Sequence, residues 1–149
     1  MTTHDQVLDA VRAAIMRAED STAVLETTVA TLKDRMPAYS WVGVYLLDGN
    51  ELVLGPFKGR PSPHTRIPLG RGICGAAAAE KATIVVDDVS TDARYLACSA
   101  DTKSEIVVPI MKGSDVVGEI DVDSDHPAAF NDSDRRLLES VAALVADRM

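Results

Sequence analysis

Hydrophobic side chains near both ends of the chain recur at the three- to four-residue spacing of an amphipathic helix. The first stripe predicts a helix at the N-terminus. The second stops at Pro37 and is either a second helix or a continuation of the first. The third begins after Asn131 or Asp132, either of which can cap a helix. The stripes comprise Val7, Leu8, Val11 and Ile15; Leu25, Val29, Leu32 and Met36; and Leu137, Leu138, Val141, Leu144 and Val145.

The middle of the chain has the pattern of β-strands. Residues 40–47 and 51–54 flank the turn Asp48-Gly49-Asn50 and predict a hairpin. The stretch 55–72 is rich in proline and glycine, and its length predicts a functional loop. A second exposed connection is predicted at 90–103. The remaining predicted elements are a short helix at 76–80 and strands at 83–86, 104–111 and 115–124.

The connection between the last two predicted strands allows their pairing to be worked out. Residues 112–114 make a three-residue loop in which Gly113 supplies a left-handed position. Ile106 then faces Ile120 on a wholly apolar face. On the other face Glu105 lies opposite Asp121, with Asp123 two residues further along.

These carboxylates have two interpretations. They form either the solvent-exposed side of an antiparallel sheet or a binding site. Opposed like charges are unfavourable unless a cation compensates them or one group holds a proton. The cluster of Glu105, Asp121 and Asp123 therefore predicts an ammonium ligand or a shared proton.

Composition narrows the classes of partner. The chain has 149 residues, 46% hydrophobic and 26% charged, which fits one globular domain. Its net charge of -8, without a basic cluster, argues against nucleic acid and anionic membranes. The N-terminus lacks the pattern of a secretion signal, and no segment is long and apolar enough to span a bilayer, so we expect a cytoplasmic protein.

The two cysteines, Cys74 and Cys98, are too few for a disulfide scaffold and predict free thiols. No metal is expected, because cysteines and histidines lack the paired spacing of zinc ligands. An isolated cysteine such as Cys98 is usually an inert buried side chain. Cys74 is more readily structural, although the N-terminus of the helix it precedes would lower a thiol pKa. The surrounding pattern 70–75 follows a proline-rich loop instead of a strand, which argues against a dinucleotide site.

Trp41 and Tyr45, four residues apart, share one face of the predicted first strand. They are either core residues or an aromatic wall for a ligand methyl or ammonium group.

Taken together, these segments resemble the GAF domain along essentially the whole chain. The resemblance implies a single domain spanning residues 1–149 with an α+β fold. In that fold an antiparallel central sheet of about six strands carries the N- and C-terminal helices on one face, with loops and short helices over a ligand pocket on the other. GAF proteins often pair, so the terminal helices also suggest a homodimer. The residues that carry the resemblance are Asp87-Asp88-Val89, Asp92-Ala-Arg-Tyr95, Ser104-Glu-Ile-Val-Val-Pro109-Ile, Gly113, Gly118 and Phe130.

A narrower resemblance is to the free methionine-R-sulfoxide reductases, which have a GAF fold. It implies that Cys98 is the nucleophile and becomes a sulfenic acid, and that Trp41 and Tyr45 wall the pocket. It further implies that no cofactor is needed and that an external thiol, with thioredoxin suspected, is the reductant. Glu105, Asp121 and Asp123 would bind the sulfoxide and the amino group. The motifs are Trp41-Val-Gly-Val-Tyr45, Leu54-Gly-Pro-Phe57, Thr65-Arg-Ile-Pro68, Gly70-Arg-Gly-Ile-Cys74-Gly75, Ala97-Cys98, Ser104-Glu105-Ile-Val and Asp121-Val-Asp123-Ser124.

The chain departs from this family at two positions. His64 stands where the family commonly has a third cysteine that resolves the sulfenic acid, and Ser99 stands where it often has an acid. His64 would then be a surface loop residue or, as the alternative, part of the pocket lining. Either Cys74 or an external thiol would regenerate Cys98. Two alternatives remain open: a non-catalytic GAF sensor that binds a small molecule, and a degenerate relative that only binds methionine-like ligands.

Overall fold

Side-chain caps determine where the helices begin in the computed structural model, which describes residues 2–96 and 100–149. Thr2 accepts a hydrogen bond from the backbone N–H of Asp5, whose carboxylate accepts from the N–H of Thr2 in return. Asp20 caps the second helix through the N–H of Ala23. Asn131 forms a second capping box at the last helix. The helices are α1 (Thr3–Arg17), α2 (Ser21–Arg35), α3 (Gly72–Glu80) and α4 (Asp132–Ala146).

Six antiparallel strands form one sheet in the spatial order β3-β2-β1-β6-β5-β4. A short 3-10 helix, Val89–Thr91, follows β4. The strands are β1 (Trp41–Asp48), β2 (Glu51–Lys58), β3 (Arg66–Pro68), β4 (Ile84–Val86), β5 (Ser104–Lys112) and β6 (Asp115–Ser124).

The two faces of the sheet carry separate hydrophobic clusters, because successive side chains of a strand point to opposite faces. The larger cluster lies between the sheet and helices α1, α2 and α4. The smaller one lies under α3 and includes Trp41, Tyr45 and Ile73. The predicted α+β architecture, with the N- and C-terminal helices on one face, is thereby confirmed.

The apolar stripes of the terminal helices are buried inside the chain. Val11 of α1 and Val141 of α4 are both inaccessible to solvent within this larger cluster. These stripes therefore serve intramolecular packing, and the homodimer stays a prediction. No helix in the described part of the chain is long and apolar enough to cross a membrane.

Asp134 joins three segments on this side of the sheet. Its Oδ1 accepts a hydrogen bond of 2.7 Å from the Tyr39 hydroxyl and lies 3.0 Å from His4 Nε2. Its Oδ2 accepts from the backbone N–H of Asn131. Burial and the adjacent carboxylate raise the pKa of Tyr39, so its hydroxyl keeps the proton that it donates. The start of α1, the entry to β1 and the first turn of α4 are held together at this point.

The structure corrects the predicted extent of the long loop at 55–72. Strand β2 continues through Gly55 and Pro56 to Lys58, and β3 lies inside the predicted loop. Pro56 is tolerated because the pairing with β1 is interrupted by a bulge there. Helix α3 also begins earlier than predicted, at Gly72, so Cys74 lies within its first turn.

The pairing of β5 with β6 also differs from the prediction. The connection is a two-residue turn at Gly113 and Ser114, with a positive φ at Gly113. A register shift between Ile110 and Met111 then restores the alternation of faces. The apolar and acidic faces are as predicted, but Glu105 lies opposite Asp123 instead of Asp121.

Candidate functional site

Four carboxyl groups lie on the α3 side of the central strands. Glu119, Asp121 and Asp123 alternate along β6, and Glu105 lies beside them on β5. All four are buried, which overturns their interpretation as the wet side of a sheet. Buried carboxyls without compensating partners are costly, so their position on the face that α3 covers makes this cluster a candidate site.

Cys74 enters this cluster from the first turn of α3. Its Sγ donates a hydrogen bond to Asp121 Oδ2 at 3.3 Å. Burial raises its pKa well above the ordinary thiol value, and the charges of Asp121, Glu119 and Glu105 raise it further. These effects outweigh the lowering of the thiol pKa by the helix N-terminus. Cys74 is therefore a neutral thiol near pH 7.

Burial also raises the pKa of each carboxyl in the cluster. For Glu105 the neighbouring Asp121 and Asp123 add to the effect, and both lie within hydrogen-bond reach of it. For Asp121, hydrogen bonds from Glu105 and Cys74 offset part of the shift. These effects favour the protonated form of Glu105, and the proton shared within the cluster stays a prediction.

The cluster has spare hydrogen-bonding capacity. In the described part of the chain, no partner reaches Asp121 Oδ1, Asp123 Oδ1 or either carboxyl oxygen of Glu119. Buried polar groups without partners are costly, and ligand groups that satisfy them are bound favourably. The spare acceptors match the ammonium group of a small ligand.

A cation is a second way to balance these charges. Cys74, Glu105 and Asp121 each place one sulfur or oxygen atom within 4.8 Å of the others. Such spacing can be bridged by a metal ion, but a shared proton provides the same compensation without one. That the site works without a metal stays a prediction.

The two predicted aromatic residues lie on the face that carries the acids. The Tyr45 hydroxyl donates to the backbone oxygen of His64 at 2.8 Å, and Trp41 Nε1 donates to that of Arg60 at 2.8 Å. The Trp41 ring stacks on Phe57 at 5.7 Å between centroids. Both aromatics thus anchor the connection between β2 and β3 over the site.

A small cavity of about 20 Å³ lies at the centre of this arrangement. Four predicted site residues line it, whereas Trp41 and Asp123 lie beside it and are paired with each other across β1 and β6. The volume is close to that of one water molecule, so a larger ligand needs the covering loops to move. The lining residues are Tyr45, His64, Ile67, Gly72, Ile73, Cys74, Leu96, Glu105 and Asp121.

Cys98, the predicted nucleophile, lies outside the described residues, together with Ser99. The described chain resumes at Ala100. Glu105, in β5, follows five residues later.

The sequence interpretation did not count Glu119 or His64 among the site residues. Glu119 follows the two-residue alternation of Asp121 and Asp123, and that period is the signal that could have identified it. His64 was expected at the surface, with a pocket-lining position as the alternative; it is half-buried and lines the cavity. Its position depends on how the loop folds over the sheet, and no local pattern in the sequence reveals it.

Comparisons with known proteins agree with this arrangement. A family model described as GAF domain matches residues 6–149. The free methionine-R-sulfoxide reductase of Escherichia coli K12 is 39% identical over 131 residues, covering 87% of this chain and 79% of that protein. The Neisseria meningitidis free methionine-R-sulfoxide reductase, solved in complex with its substrate, superposes with a TM-score of 0.93 at 39% identity, covering 97% and 87%. A structure described as that of the GAF domain gives a TM-score of 0.90 at 30% identity, covering 98% and 86%.

Proposed function

Because the chain belongs to the GAF domain family and is related over most of its length to free methionine-R-sulfoxide reductases, we propose that it reduces free methionine-(R)-sulfoxide to methionine. The observation that carries this proposal is the cluster of buried carboxyls beside the cavity, which Glu105 and Asp121 line. The relationship makes the protein an oxidoreductase.

The carboxyl cluster suits both polar ends of this substrate. Asp121 and Asp123 would accept hydrogen bonds from the ammonium group of a free amino acid through the oxygens that have no partner in the described part of the chain. A protonated Glu105 would donate a hydrogen bond to the sulfoxide oxygen, which is a strong acceptor. Acid assistance from a carboxyl with a raised pKa is effective near neutral pH, where an ordinary glutamic acid has already lost its proton.

We assign the nucleophile to Cys98 from the resemblance. Its thiolate attacks the sulfoxide sulfur and forms an S–S bond while a carboxyl of the cluster protonates the oxygen. The resulting hydroxyl then transfers to Cys98 Sγ as the S–S bond and the S–O bond of the substrate break, which releases methionine. The balanced result of this step is that one thiol and one sulfoxide become one sulfenic acid and one thioether. The cysteine loses two electrons and the substrate gains them.

The sulfenic acid must then be reduced. A second thiol condenses with it, forming a disulfide and releasing water, and exchange with a further thiol restores Cys98. Cys74 is one candidate, because Asp121 lies 3.3 Å from its sulfur and can accept the proton that a neutral thiol must lose. An external thiol of the thioredoxin kind is the other candidate, and in either case it supplies the electrons. The cytoplasmic location and the homodimer stay predictions.

The test is turnover of the two sulfoxide epimers by the reduced protein with dithiothreitol. We expect methionine from the R epimer alone, and we expect Cys98→Ser to abolish its formation. Cys74→Ser is the matched control, because dithiothreitol can replace a resolving thiol. Unchanged activity in Cys98→Ser would exclude the assigned nucleophile. Binding of the sulfoxide without any turnover by the wild type would instead favour a non-catalytic GAF sensor.

A further inference from the structure

His64 lies at the boundary between solvent and the acidic cavity. It belongs to the connection between β2 and β3, and it is the half-buried residue between exposed Pro63 and Thr65. Its backbone is fixed on both sides: its oxygen accepts from the Tyr45 hydroxyl, and its N–H donates to Ser62 Oγ at 3.1 Å. These main-chain contacts to the sheet and the loop therefore hold the residue at the cavity, which it lines.

The charge of the cavity wall makes this position significant. Glu105 and Asp121 are acids, Cys74 is a neutral thiol, and the other lining side chains are apolar or the Tyr45 phenol. Among the described residues that line the cavity, His64 carries the only basic side chain. A ligand with an anionic group would meet two carboxyls and one imidazole there.

Two arginines on the neighbouring loops, Arg60 and Arg94, are already engaged at the surface. Arg60 pairs with Asp125, with 2.8 Å between Nη2 and Oδ1. Arg94 pairs with Asp92, with 2.8 Å between Nη2 and Oδ2. Recruiting either guanidinium to a ligand would require an existing ion pair to open, and neither arginine lines the cavity, whereas His64 does.

From these observations we infer that His64 is a specificity-determining residue that donates an N–H to the α-carboxylate of the substrate. The inference rests on the proposed function, in which the substrate is a free amino acid. Such a zwitterion needs an acceptor for its ammonium group and a donor for its carboxylate, and an acidic pocket would repel the carboxylate. An imidazole offers at least one N–H in every protonation state. The consequence is selection for the free acid over substrates whose carboxyl is an amide.

The experiment measures KM and kcat of His64 variants with each of two substrates, methionine-(R)-sulfoxide and its carboxamide. For His64→Ala we expect the KM of the free acid to rise roughly 10- to 100-fold, the range for loss of a hydrogen bond to a charged group. The KM of the carboxamide should change less than about threefold, and kcat should be retained. His64→Gln keeps an N–H donor and should restore part of the affinity for the acid. Thr65→Ala, at the exposed neighbouring position, is the matched control.

Two results would overturn the inference. An equal rise in KM for acid and carboxamide would mean that His64 only shapes the loop, and a fall in kcat for both would place it in the chemistry instead. Thermal unfolding of each variant identifies losses that come from misfolding. If the wild type does not turn over, the proposed function fails, and calorimetric binding of methionine and methioninamide to the same variants still tests His64. Equal affinity of the wild type for these two ligands would contradict the role assigned to it.

Discussion

Glu119 offers a sharp test of the buried acid cluster. Its side chain has 0% of its surface exposed, and neither carboxyl oxygen has a hydrogen-bond partner in the described part of the chain. Burial, followed by the charge of Asp121, raises its pKa well above the ordinary 4.5. The Cys74 thiol, which donates to Asp121, also interacts with Glu119 and offsets only part of this rise in its pKa. Glu119→Gln keeps the shape of the side chain and removes its ability to ionise.

The magnitude follows from proton linkage. A carboxyl whose pKa is raised by folding binds a proton in the folded chain over a pH range in which the unfolded chain has released it. Its contribution to stability is complete below the unfolded pKa and is lost as the pH rises towards the folded pKa. In that range one such group lowers the free energy of unfolding by up to about 1.4 kcal/mol per pH unit. Over two pH units the wild type should therefore lose up to about 2.7 kcal/mol of unfolding free energy through this group, and Glu119→Gln should avoid that loss.

The assay is urea unfolding of the wild type and the variant between about pH 5 and about pH 8. We expect wild-type stability to fall across this range and the variant to fall less steeply, becoming the more stable protein at the alkaline end. Glu26→Gln, at an exposed position on α2, is the matched control and should leave the slope unchanged. Parallel curves for the wild type and Glu119→Gln would refute the reasoning.

Two further substitutions test the framework around the site. Tyr39→Phe removes the 2.7 Å hydrogen bond to buried Asp134 and should cost about 1.5–3 kcal/mol of unfolding free energy in urea; an unchanged midpoint would contradict the anchoring role of Asp134. Gly43→Ala would place a Cβ 2.3 Å from Trp41 Cη2 and should cost about 1–3 kcal/mol. Because Trp41 is the single tryptophan of the chain, the fluorescence spectrum of the folded Gly43→Ala variant should be shifted from that of the wild type. An identical spectrum would show that the Trp41 ring was not displaced.

The faces of the sheet could be predicted because side-chain alternation is a local property. Ile106 and Ile120 on one side, and Glu105 and Asp121 on the other, follow from the two-residue period of a strand. Their exact pairing did not follow, because the turn at Gly113 is one residue shorter than predicted and a bulge compensates for it. Such a bulge preserves the faces while shifting the partner of Glu105, so the sequence pattern cannot distinguish the two arrangements.

Features that depend on contacts distant in sequence were not predictable in the same way. The composition of residues 55–72 indicates a loop, yet pairing with β1 extends β2 to Lys58 in spite of Pro56. The pKa of Cys74 was expected to be lowered if the helix N-terminus governed it, whereas burial among carboxyls raises it. His64 reaches the cavity only because the loop is anchored to Tyr45. The resemblance located the acidic site, and the folded chain showed which side chains meet there.

The central claim is that Cys98 accepts the oxygen of free methionine-(R)-sulfoxide. The most direct measurement is a single turnover of reduced protein without external thiol, with sulfenic acid trapped by dimedone and located by peptide mass spectrometry. Cys74→Ser is the protein to use, because no second thiol can then consume the intermediate. We predict about one equivalent of methionine and a dimedone adduct on Cys98. Methionine formed while Cys98 stays unmodified would contradict the claim.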